Sequence, residues 1–131
     1  MRKAKQFTVR LAARQGVLGE LAAALWGKGV HIRAFLADVR GHPGSVHLVV
    51  DNPAAARQAF VECGSSATEE EVVVLRVADK PGKLATVAKK LGKAGIKVEY
   101  AYSGSGPAKG NGKTYTYLAV SDAPAALRVL G

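Results

Sequence analysis

The chain carries the same segment twice. Sliding residues 73–99 back by 66 positions places Arg76, Gly82, Leu84, Ala88, Leu91 and Gly95 on Arg10, Gly16, Leu18, Ala22, Leu25 and Gly29. Conservative pairs fill the gaps: Val77 falls on Leu11, Val87 on Leu21, Ile96 on Val30 and Val98 on Ile32. Further on, Pro-Ala-Ala-Leu-Arg at 124–128 echoes Pro-Ala-Ala-Ala-Arg at 53–57, now offset by 71, with the extra residues in the glycine-rich stretch 104–112. A chain of 131 residues that repeats itself this way is expected to fold as two small copies of one unit. The units expected are residues 1–68 and 69–131.

Each copy reads strand, helix, strand, strand, helix. Phe7, Val9 and Leu11 alternate with Thr8 and Arg10, the period of a half-buried strand. Leu18, Leu21, Ala22, Leu25 and Trp26 recur on one helical face, and Gly29 follows as a helix-ending glycine. Strands are expected over 30–39 and 46–50, joined through Gly41-His42-Pro43-Gly44. Asn52-Pro53 then opens a helix, with Asn as cap and Pro in the first turn. The second copy repeats this: strand 72–78, helix 83–94, strands 96–103 and 114–120, helix 124–130. Residues 68–78 form one long β-prone run that closes the first unit and opens the second. No closing strand follows the last helix, which leaves a sheet edge to be covered by the other unit or by another chain. The order is that of a split βαβ, an α+β ferredoxin-like fold with helices on one face of an antiparallel sheet.

Composition narrows the function classes. Apolar residues make up 48% and charged residues 22%, as in a globular domain. No apolar run approaches a membrane span, and no signal-peptide core follows the basic start, so a cytoplasmic location is expected. One cysteine, Cys63, excludes an internal disulfide framework and a paired-cysteine metal site. Lys and Arg number 19 against 10 acidic residues, a net charge of +9. Cut between residues 65 and 66, the halves carry +5 and +4, so the excess looks evenly spread.

The segment with chemical content is Ala78-Asp79-Lys80-Pro81-Gly82-Lys83-Leu84, followed by a helix and then Ala94-Gly95-Ile96-Lys97-Val98-Glu99. A strand ends, a tight turn follows, and a helix opens with its free backbone N–H groups outward. Such donors favour an anion, a carboxylate among them.

These residues resemble the signature of ACT domains, and the first copy carries a worn version: Ala13-Arg14-Gln15-Gly16-Val17-Leu18, a helix, then Gly29-Val30-His31-Ile32. The resemblance spans about residues 5–131. It implies βαββαβ regulatory modules that bind small molecules, most often amino acids, and that pair side by side. It implies a ligand held by the turn after one module's first strand and by the second strand of a neighbour. Carried onto this chain, the ligand-binding residues are Asp79, Lys80, Pro81, Gly82, Lys83 and Leu84 with Lys97, Val98 and Glu99. In the first copy they are Gln15, Gly16, Val17 and Leu18 with His31 and Ile32. There Ala13 replaces Asp79 and Gln15 replaces Pro81. The expected protein is a non-catalytic amino-acid sensor without cofactor or metal, a homodimer, with a regulated enzyme as a possible partner.

Two other readings compete. Tyr115 and Tyr117 alternate on one strand and, with the basic surface, fit an RNA-binding sheet whose open face stacks bases. A scaffold subunit that only mediates assembly is the other. The glycine-rich loop 104–113 lacks the order of a phosphate-binding loop and reads as a hairpin connection. His31, His42 and His47 are too scattered for a metal motif, although His42 and His47 can meet across a hairpin.

Overall fold

The computed structural model describes residues 2–12, 14–41, 43–76, 82–105 and 114–131. Among the described residues six strands and four helices follow one another: β1 (Arg2–Leu11), α1 (Val17–Gly27), β2 (Ile32–Asp38), β3 (Gly44–Val50), α2 (Pro53–Glu62), β4 (Ala67–Arg76), α3 (Lys83–Lys93), β5 (Val98–Ser105), β6 (Thr114–Val120) and α4 (Ala123–Leu130). The long run after Ser66 is a single ten-residue strand, β4. No helix among the described residues is long and apolar enough to cross a membrane.

The chain divides into two compact units, Gln6–Glu70 and Met1–Lys5 with Glu71–Gly131. In Gln6–Glu70 the strand order is β4-β1-β3-β2. β1 pairs antiparallel with β3, Phe7 opposite Leu48 and Val9 opposite Val46, and β3 pairs antiparallel with β2. The Arg10 amide donates to the Ser66 carbonyl at 2.9 Å, holding the start of β4 beside β1. The core lies between sheet and helices: Phe7, Val9, Leu11, Val46, Leu48 and Val50 meet Leu21, Leu25, Ala56, Ala59 and Phe60. The rings of Phe7 and Phe60 pack edge to face, 5.1 Å between centroids.

In the other unit the order is β1-β4-β6-β5. β6 pairs antiparallel with both β4 and β5. Val73, Leu75 and Leu118 pack against Val87, Leu91 and Ala126. Residues Arg2–Lys5 of β1 belong to this unit and lie along β4, where the Lys3 ammonium is 3.7 Å from the Glu71 carboxylate. The edge that the sequence leaves without a closing strand is thus met by the first residues of the chain.

This grouping changes the charge distribution. Gln6–Glu70 contains six basic and six acidic residues and is neutral. The unit Met1–Lys5 with Glu71–Gly131 contains thirteen basic and four acidic residues and carries the whole net charge of +9. The two halves of the sequence share the excess, but the two structural units do not. Arg2, Lys3 and Lys5 group with the second unit, and the acidic Glu69 and Glu70 with the first.

Candidate functional site

Both units open their first helix from a glycine in the left-handed region, Gly16 at φ 82° and Gly82 at φ 84°. A Cβ at either position meets nothing within 4 Å. The backbone conformation alone therefore calls for glycine there. The first helical bonds run from the Glu20 amide to the Gly16 carbonyl and from the Thr86 amide to the Gly82 carbonyl, both at 3.0 Å. No described side chain caps either helix start. The amides of Val17 and Leu18, and of Lys83 and Leu84, thus have no partner within their helices.

The two turns differ in charge. α1 carries an acidic residue, Glu20, in its first turn, and the Arg14 guanidinium binds it. The Arg14 bond holds the Glu20 carboxyl below its usual range. The positive end of α1 thus already has a carboxylate of its own, and the nearest cation is spent on it. α3 has no acidic residue in its first turn and begins instead with the exposed Lys83. Of the residues expected at this turn, Gly82, Lys83 and Leu84 are exposed and adjacent; Asp79, Lys80 and Pro81 lie outside the described residues. In the first unit Gln15, Gly16 and Leu18 are exposed and Val17 is half-buried.

The second-strand residues lie elsewhere. α3 has 11 residues, so its two ends are roughly 16 Å apart, and Lys97, Val98 and Glu99 follow its far end. A unit's own turn and own second strand therefore do not converge. The Lys97 amide donates to the Ser121 hydroxyl at 3.0 Å, and the Lys97 carbonyl accepts from the Ser121 amide at 2.9 Å. His31 repeats the pattern with the Asp51 carboxylate and amide, at 2.9 and 3.1 Å. Both backbones are engaged, which leaves the side chains to meet a ligand. The register of β5 slips between Val98 and Tyr100, and that of β2 between Ile32 and Ala34. Glu99 and Arg33 therefore sit at equivalent bulges, devices that re-aim a side chain. Sequence reading picked Glu99 and missed Arg33, since a bulge leaves no mark before the pairing is known. His31 and Ile32 line an open groove with Ala22, Gly29, Val30 and Trp26, whose indole is 84% exposed.

A polar network was also missed. Gln6 is fully buried, and its amide nitrogen donates to the Thr8 hydroxyl at 3.2 Å. Thr8 donates its proton to Glu70 at 2.9 Å. Its oxygen also lies 2.9 Å from His47 Nδ1, and the Gln6 amide nitrogen lies 3.4 Å from the same nitrogen, so His47 joins the network through Nδ1. Burial lowers the pKa of His47, while the Glu70 charge opposes the shift.

The aromatic platform is not there. Tyr117 is 1% exposed, stacks on Tyr102 with centroids 5.5 Å apart, and donates its hydroxyl to the Ser105 carbonyl at 2.7 Å. Tyr115 is half-buried. Residues facing away from the helices are buried too, among them Val72, Val74 and Ala119. The open face expected for base stacking is closed at Tyr117. Among the described residues no three His, Cys, Asp or Glu side chains could hold a metal ion. His42 and residues 106–113 of the glycine-rich loop lie outside the described residues.

No family profile matches the chain. No curated protein matches it. Solved structures do. Protein BT0572 from Bacteroides thetaiotaomicron superposes with a TM-score of 0.85 at 24% identity, over 98% of this chain and 86% of that one. The regulatory subunit of aspartate kinase from Thermus thermophilus, in its ligand-free form, gives 0.59 at 18% identity, over 98% and 89%. Its counterpart from Thermus flavus gives 0.60 at 18%, over 98% and 90%. The chain thus has an α+β fold similar to that of these two regulatory subunits of aspartate kinase.

Proposed function

We propose that the chain is a tandem pair of ferredoxin-like ACT modules that binds an amino acid and transmits its presence to a partner, without catalysing a reaction. The observation that carries this is the turn at Gly82. It presents the uncapped amides of Lys83 and Leu84 at the positive end of α3, with no carboxylate of the chain's own in the first turn. The ligand carboxylate docks on these amides, and Lys83 adds charge. A neighbouring module's second strand completes the site, and Glu99 or its surroundings meet the ammonium. The turn at Gly16 is already served by Glu20 and Arg14, so the second unit holds the working site. A ligand that bridges modules stabilises the paired state, which couples binding to assembly in a homodimer. Likeness in fold to regulatory subunits of aspartate kinase supports a regulatory role and a partner enzyme.

A thermal-shift screen against the common amino acids at millimolar concentration tests this. A ligand at 100 times its dissociation constant stabilises by about 2.7 kcal/mol, several degrees for a chain of this size. One amino acid should raise the midpoint in the native chain and in Gly16→Asp, but not in Gly82→Asp. Silence across the panel, or an undiminished shift in Gly82→Asp, refutes the reading.

A further inference from the structure

The concentration of charge in one unit has a local focus. Between α3, α4 and the end of β4 runs a groove of about 180 Å³. Leu75, Val87 and Leu130 form its apolar part, and Arg76, Lys83 and Lys90 bring three cations to it from two elements. Thr86 also lines it, and its hydroxyl donates to the Gly82 carbonyl at 3.0 Å. None of the three cations pairs with a carboxylate among the described residues. Glu71 is engaged by Lys3, and Asp122 caps α4. The neutral unit differs: Arg14, Lys28, Arg40 and Arg57 are all paired.

Three cations around one small concavity, with no carboxylate partner among the described residues, repel one another, a cost that a bound polyanion relieves. A guanidinium fork with two ammonium groups matches the oxygens of a phosphate. The apolar residues beside them would be wasted on a bare ion and fit a short hydrocarbon group. We propose that this groove binds a small phosphorylated organic molecule, phosphate towards Arg76, Lys83 and Lys90, with its apolar part against Leu75, Val87 and Leu130. A groove of this size takes a small molecule; a nucleic-acid backbone would instead need the cations spread along an open face. The groove shares Lys83 with the amino-acid reading but does not require it, and the variants that test the groove leave Gly82 and Lys83 in place.

Calorimetry at fixed ionic strength, with phenyl phosphate and inorganic phosphate as probes, tests it. Phenyl phosphate should bind saturably, one per chain, and more tightly than inorganic phosphate. Arg76→Gln and Lys90→Gln should each weaken it by about tenfold or more, the loss of a charged hydrogen bond. Lys89→Gln, on the same helix but outside the groove, should leave it unchanged, with unfolding midpoints showing that all three variants fold. The proposal is overturned if neither probe binds saturably, if inorganic phosphate binds as well as phenyl phosphate, or if Lys89→Gln weakens binding as much as Lys90→Gln. It is also overturned if duplex DNA binds, is weakened equally by all three variants, and phenyl phosphate does not bind.

Discussion

Gly16 and Gly82 adopt nearly the same left-handed conformation, and each is the residue from which a helix starts. An alanine there meets no clash but must hold φ near +80°, a conformation L residues disfavour by roughly 1–2 kcal/mol. Gly16→Ala and Gly82→Ala should therefore each lower the free energy of unfolding by about that amount, read from urea melts. Ligand binding separates the two positions, because the first turn of α1 contains Glu20 and the first turn of α3 contains no acidic residue. His47 provides a second test. Its folded pKa lies below the ordinary 6.5, because burial disfavours the charged ring. As pH falls through 6.5 the unfolded chain takes up the proton first, so stability falls until the folded ring protonates as well. Urea melts near pH 8 and near pH 5 should show a larger acid loss for the native chain than for His47→Gln, whose site does not titrate. An equal loss in both would place the acid sensitivity elsewhere. The glycines and the helix-opening turns were legible because they impose local conformation. The Gln6–Thr8–His47–Glu70 network was not, because it needs β1, β3 and β4 in register.

Among the elements, α2 and α4 share one device. Asn52 accepts from the Ala55 amide at 3.2 Å, Asp122 accepts from the Ala125 amide at 3.0 Å, and a proline follows in each first turn. Asn52→Ala and Asp122→Ala should each cost about 1 kcal/mol of stability. A much smaller loss would mean that the helix is held by packing alone. The strands carry the larger stake at Tyr117. Removing a fully buried, stacked ring costs about 3–5 kcal/mol, so Tyr117→Ala should sharply lower the thermal midpoint. If instead it left stability intact and abolished RNA binding in a gel shift, the base-stacking reading would return. Period-two alternation along β6 puts Leu118 and Val120 towards the helices and Tyr117 on the opposite face, and the core agrees. What parity could not say is whether that opposite face is open, since period-two alternation reports which side a residue takes and not what lies beyond it.

At the scale of the whole molecule, the first residues of the chain stand beside β4 in the unit built from its second half. Deleting residues 2–5 should therefore loosen that unit first. Hydrogen exchange should rise in β4 from Glu71 onward and in β6, with the core around Phe7 and Phe60 losing less protection. A loss confined to Gln6–Glu70 would contradict the grouping. The same placement gathers the net charge of +9 into one unit. By itself the sequence determined the internal repeat, the order of helices and strands, the two glycine-opened turns, the Asn52 cap and the core face of β1. These are set by local conformation and by periods of two and about 3.6 residues, which neighbouring residues carry without help. Only the tertiary structure decided which strand meets the edge left open in the second half, which unit owns the basic residues, that Tyr117 is enclosed, and that Arg76, Lys83 and Lys90 share one groove. Each of these depends on pairing between residues far apart in the chain, and that pairing comes from burying two strand faces and two helices together.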